Sequence, residues 1–131
     1  MHVQVINFNL EGINRTEYEA VCDELAGAFA ELPGLISKHW LANEENNTYG
    51  GVYIWESKDA YQAYLNSELF AGVGANPALA NIESKDFEVI EAPTRVTRGL
   101  YLFPDEAVRR GYFTNPHYSG LKICLQSTGF V

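Results

Sequence analysis

Cysteine is scarce in this chain, with only Cys22 and Cys124 among 131 residues. Neither belongs to a zinc-type spacing, and two thiols make no disulfide framework. Both fall in apolar surroundings and read as buried thiols, since an unpaired cysteine behaves as a small hydrophobe. Histidine is nearly as rare. His2, His39 and His117 form no i,i+4 pair and no His-Glu pattern, so no metal site is expected. Lys and Arg total 9 against 17 acids, a formal net charge of −8. Nucleic-acid binding needs clustered cations, so this balance argues against DNA, RNA and anionic membranes. No stretch approaches the ~18 apolar residues of a membrane span. The start, Met1-His2-Val3-Gln4, lacks the basic-then-apolar pattern of a signal peptide, so the expected address is the cytoplasm. Gly72-Val73-Gly74 lacks the third glycine and the strand-then-helix setting of a phosphate loop. No nucleophile elbow supports serine catalysis.

What the chain does have is apolar and aromatic material, 47% and 13% respectively, enough for a core without disulfides or metals. Residues 2–10 read as a strand, β-branched and aromatic residues alternating with polar ones. Asn14 with Glu17 makes a capping box, and Tyr18, Val21, Cys22, Leu25, Phe29 and Leu32 form a helical stripe that Pro33-Gly34 ends. Two strands follow, about residues 35–44 and 49–56, joined by the polar tip 43–47. Gly50-Gly51 inside the second of them marks a bulge or a close approach to the backbone. Ser57 caps the next helix, which carries Tyr61, Tyr64 and Leu65. Residues 67–77 read as a connector with at most a further helical turn. Ile82–Ala92 reads as a fourth strand, closed by Pro93.

The order β-α-β-β-α-β is that of a ferredoxin-like α+β sandwich, one antiparallel sheet with both helices on one face. Alternation puts Tyr49, Gly51, Tyr53 and Trp55 on one face of the third strand, with Val52 and Ile54 on the other. Neither face is polar enough to be simply wet, which predicts a partner for the second face. A homodimer is the simplest answer. Two domains of unequal character are expected. Residues 1–99 form the α+β domain, with 6 basic and 15 acidic residues. Residues 100–131, with 3 basic and 2 acidic, form a C-terminal extension too aromatic to be disordered. It is expected to carry a short helix over 104–110 and to pack on the domain or on the dimer partner.

Leu32-Pro33-Gly34-Leu35, Lys38-His39-Trp40, Gly50-Gly51-Val52-Tyr53-Ile54-Trp55 and Ala60-Tyr61-Gln62-Ala63-Tyr64-Leu65 together resemble the YdhR-like putative monooxygenases. That family belongs to the dimeric α/β-barrel superfamily, alongside the antibiotic-biosynthesis monooxygenases. Asp86-Phe87-Glu88-Val89 fits its closing strand, and the resemblance spans about residues 1–98. It implies a dimer whose sheets face each other, with a pocket in each subunit between helices and sheet. It also implies oxidation of polycyclic phenols or anthrones by molecular oxygen with no cofactor. Other superfamily members degrade haem.

Such chemistry needs a flat apolar site, exclusion of water and a few polar groups for the developing anion. Trp40 is the leading candidate for it, its alternative being a core or interface tryptophan. His39 is a candidate proton carrier or haem ligand, though alternation sets it on the face opposite Trp40. Asn7 offers an amide to a substrate oxygen. Tyr53 and Trp55 are candidate walls for a small aromatic substrate, or dimer-packing residues. Tyr61 and Tyr64 are candidate covers or core. The competing reading of the whole is a non-catalytic small-ligand-binding or structural dimer of the same fold.

Overall fold

The structure, a computed structural model, describes residues 1–99. The chain divides into two compact units, Met1–Val89 and Ile90–Val131. The expectations placed on Cys124, His117, the helix over 104–110 and the packing of the extension lie outside the described residues.

The first unit has four strands and three helices. They run β1 (His2–Leu10), α1 (Arg15–Ala30), β2 (Leu35–Asn43), β3 (Thr48–Trp55), α2 (Lys58–Leu65), α3 (Glu68–Ala75) and β4 (Leu79–Glu88). The sheet order is β2-β3-β1-β4, every neighbouring pair antiparallel, which is the ferredoxin-like arrangement.

Local chemistry explains the boundaries. Asn14 Oδ1 accepts from the Glu17 N–H at 2.9 Å while Glu17 Oε1 accepts from the Asn14 N–H at 3.0 Å, a closed capping box. Ser57 caps α2 by accepting from the Ala60 N–H. Ser67 serves two helices. Its hydroxyl donates to the Tyr64 carbonyl at the end of α2 and accepts from the Phe70 N–H to open α3. The connector expected over 67–77 is therefore two turns of helix. At the hairpin tip, Asn47 adopts a positive φ of 49° and its side-chain amide bonds both backbone groups of Leu10, pinning the tip to the end of β1.

The fourth strand starts and stops earlier than the sequence suggests. It begins at Leu79, and its ladder with β1 ends where Val89 donates to the Met1 carbonyl. Beyond that, in the second unit, Glu91–Val96 forms a short helix, α4, where a strand was expected to run to Ala92. Pro93 sits in its first turn, where a missing N–H costs nothing.

The sheet has two unlike faces. Along β1, His2, Gln4, Ile6, Phe8 and Leu10 are buried in strict alternation. Cross-strand register puts Tyr49, Gly51, Tyr53 and Trp55 of β3 on the same side, beneath the helices. The core forms there, with Tyr18 and Phe29 from α1 and Tyr61 and Tyr64 from α2. The opposite face carries Val3 and Val5 of β1, Val52 and Ile54 of β3 and Phe87 of β4, which register aligns across three strands. Phe87 is 53% exposed.

Candidate functional site

The helix-covered face is not filled along its whole length. A cavity of about 260 Å³ lies between α1, α3 and the sheet. Tyr18, Cys22, Leu25 and Phe29 enter it from α1, and Leu69, Gly72 and Val73 from α3. Phe8, Gly50 and Tyr53 form its floor, and Lys38 and Trp40 close the side at the edge strand β2. A second hollow of about 330 Å³ shares Tyr18, Cys22 and Trp40, so Trp40 stands between the two.

The double glycine of β3 builds this space. A Cβ on Gly50 would lie 1.8 Å from the Ile6 carbonyl oxygen, so the two strands approach there as only glycine permits. A Cβ on Gly51 would sit 3.0 Å from Cε of Lys38 and 3.2 Å from the Tyr53 ring. Gly51 pairs with Trp40, and Tyr53 with Lys38, all on the covered face. The missing side chain leaves the channel in which the Lys38 stem lies.

Lys38 is the distinctive group of the site. Its Nζ stands 3.4 Å from the ring centroid of Phe29, 3.4 Å from that of Trp40 and 4.7 Å from that of Tyr53. Such contacts favour an ammonium. None of the ion pairs among the described residues involves it. Burial favours the neutral amine and pulls its pKa down to about 7, against the opposing influence of the nearby Cys22. Burial also drives the Tyr18 and Tyr53 phenols well above their ordinary range, and raises the half-buried Cys22 thiol. Lys38 is therefore the group of this cluster poised to change charge near neutral pH.

The residues singled out from sequence are distributed over both faces. Trp40 lies in the cavity wall, 36% exposed, its ring edge-on to Phe29 at 5.3 Å. Tyr53 lines the floor and its hydroxyl lies 3.4 Å from that of Tyr64. Trp55, Tyr61 and Tyr64 are on the covered face but inside the solid core, away from the cavity. Trp55 is wholly buried, stacked on Tyr53 and donating to Gln4 Oε1 at 3.3 Å. Tyr61 packs on the His2 ring at 5.0 Å. His39 pairs with Val52 and is exposed on the uncovered face. Asn7, opposite Gly50, lies on that face too. The structure thus brings Trp40 and Tyr53 together and separates both from His39 and Asn7. Lys38, Phe29, Tyr18 and Cys22 were not singled out. The i,i+2 spacing of Lys38 and Trp40 on one strand was the available signal for the first.

A haem held by histidine does not fit these residues. Among the described residues no histidine lines the cavity, His39 is on the other face, and His2 is engaged at 2.7 Å with Asp86. Among the described residues there is no cluster of His, Cys, Asp and Glu able to hold a metal ion. No described helix is long and apolar enough to cross a membrane.

No curated protein sequence matches the chain. Solved structures do share its fold. SnoaB, a cofactor-independent oxygenase from Streptomyces nogalater, is 26% identical with a TM-score of 0.56, covering 70% of this chain and 95% of SnoaB. The heme-degrader MhuD from Mycobacterium tuberculosis, solved with two hemes in its active site, is 26% identical with a TM-score of 0.55, covering 69% of this chain and 96% of MhuD. An antibiotic biosynthesis monooxygenase, 10% identical at a TM-score of 0.57 over 69% of this chain and 99% of its own, shares the fold alone. Residues 3–100 match the family described as "Putative mono-oxygenase ydhR", most of the chain and all of the sheet but His2, and the protein belongs to that family.

Proposed function

We propose that the protein is a cofactor-independent monooxygenase that oxidises a flat aromatic or polycyclic small molecule in the cavity beneath α1 and α3. The observation that carries this reading is the cavity itself, walled by the rings of Trp40, Phe29 and Tyr53 and containing the Lys38 amine. Aromatic walls hold a flat arene in one plane, and their apolar character keeps water from the reacting carbon. An anthrone-type substrate loses a proton from the carbon to be oxidised. The resulting carbanion forms a C–O bond to molecular oxygen, giving a peroxide. Loss of water from the peroxide breaks its O–O bond and leaves a carbonyl. One oxygen atom ends in product and one in water, so the substrate supplies all the electrons. In this reading Trp40 and Tyr53 contact the substrate.

The uncovered face supports a homodimer. Val3, Val5, Val52, Ile54 and Phe87 form an apolar band across three strands, and a second copy presenting the same band would cover it. Neither Tyr53 of the cavity floor nor Trp55 of the core is part of that band, so these two aromatics are not needed to hold two subunits together.

Oxygen uptake with an anthrone-type compound tests the enzymatic reading. Wild-type protein is expected to consume oxygen, and Trp40→Ala to lose at least about tenfold of that rate. Absence of uptake by the wild type would leave the non-catalytic ligand-binding dimer as the better account.

A further inference from the structure

We propose that Lys38 selects the ligand: the cavity takes an aromatic compound bearing an acidic O–H, a phenol or an enol, and holds it as its anion against the Lys38 ammonium. This rests on the cavity being the ligand site, as proposed above, but it is independent of the oxygen chemistry.

Three observations converge on it. The stem of Lys38 fills the channel that Gly51 vacates, so the nitrogen is delivered into the cavity and not to bulk solvent. There it meets the faces of Phe29 and Trp40 at 3.4 Å each. Among the described residues, the ionisable groups that share the cavity are Tyr18 and Cys22 from α1, Tyr53 from β3 and Glu68 from α3, and none of them forms an ion pair with it. A half-buried ammonium without a counter-ion is costly, and a neutral amine there forgoes the attraction of both rings. A ligand O–H resolves the conflict. Its proton passes to a neutral Nζ, breaking the O–H bond and forming an N–H bond, or to water where Nζ is already an ammonium, with no change in oxidation state. The ammonium then has two aromatic faces and an anionic oxygen, while the ring of the ligand lies along the apolar walls. Burial already weakens the hold of Lys38 on its own proton, which sets the amine to accept one near neutral pH. A neutral arene of the same shape offers no such partner.

The test uses the full chain with 4-nitrophenol and its methyl ether, 4-nitroanisole. Binding is followed by the visible absorption that distinguishes phenolate from phenol, at a pH about one unit below the probe's own pKa in solution. Wild-type protein is expected to bind the phenol at least about tenfold more tightly than the ether, and the bound phenol to show the phenolate band. Lys38→Met is expected to abolish both the preference and the band. Equal affinity for phenol and ether, a bound spectrum of neutral phenol, or an unchanged preference in Lys38→Met would each overturn the proposal. The wild-type spectrum decides the matter even if the variant fails to fold. A phenolate band without oxygen uptake would remove the oxygenase reading and keep this one. Oxygen uptake together with equal affinity for phenol and ether would do the reverse.

Discussion

The two ends of the helix-covered sheet face are built from the same strands and finished in opposite ways. Under α2, Trp55 donates to Gln4, the Gln4 amide donates to Ser84 Oγ at 3.1 Å, and His2 engages Asp86 at 2.7 Å. Every one of those polar groups has a partner, and the rings of Trp55, Tyr53 and Tyr64 pack with centroids 5.2–6.0 Å apart. Under α1 and α3 the face is hollow, and Lys38, the one cation among its described lining residues, stands over the rings of Phe29 and Trp40. The cause lies in β3. At Trp55 and Tyr53 the strand supplies large side chains, whereas at Gly51 and Gly50 it supplies none. The comparison teaches that one strand divides the face into a part that holds the fold together and a part left open for a ligand.

The largest expected effect tests that division directly. Trp55→Ala removes a wholly buried indole and leaves Gln4 Oε1 without its donor, so a loss of about 3–5 kcal/mol of stability is expected. Trp40→Ala removes an equal side chain that is a third exposed and already borders empty space. Its cost is expected to be less than half as large, about 1–2 kcal/mol. Urea midpoints of the two variants measure the difference. Equal costs would mean that the open end is structural after all.

Lys38→Met sharpens the same contrast at the hollow end. Unfolded, the lysine keeps an ordinary pKa near 10.5; folded, burial brings it down to about 7. Below about pH 7 both states carry the proton, so the folded protein bears the full cost of a confined charge. Between the two values the unfolded state binds more protons, so wild-type stability rises with pH across that window. Methionine of similar volume removes the charge. The variant is expected to be more stable than wild type by about 3 kcal/mol at pH 6–7, with the advantage shrinking toward pH 10. Denaturant titrations across that range measure it, and a constant offset would refute the assignment of a buried, displaced amine.

Much of this architecture is legible in the residues. The capping box at Asn14, the Ser57 cap, the polar hairpin tip and the alternation of β1 and β3 give the element order and both faces of the sheet. Gly50-Gly51 announces a close backbone approach, and the Ile6 carbonyl is what approaches. The depth of the site is not legible. Alternation assigns Tyr53 and Trp55 to one face of β3, and Trp40 to one face of β2, but says nothing of register or of position along the face, so a core tryptophan and a cavity tryptophan look alike. Tyr61 and Tyr64 have the same ambiguity on α2. The roof depends on α3, whose start is fixed by Ser67 acting for two helices, a role that no local pattern distinguishes from a loop serine. Lys38 escapes notice because a charged residue in an edge strand ordinarily marks the solvent side. Its direction follows only once Trp40, two residues on, is known to face inward.

The smallest expected effect belongs to the solid end. Asp86 is a partly exposed carboxylate whose pKa is held below its ordinary value chiefly by the hydrogen bond to His2, with further help from Tyr61 and Lys58. Its folded pKa is depressed, so its contribution is present above the unfolded carboxylate pKa and is lost as pH falls through the folded one. Asp86→Asn is therefore expected to leave Tm near neutral pH little changed, because the carboxylate faces water. It should flatten only the acid limb of the Tm–pH curve, below about pH 4. An unaltered acid limb would show that the His2–Asp86 contact holds no proton-linked energy. The filled end would then owe its stability to packed rings alone, and the two ends would differ in volume but not in how their charged groups are partnered.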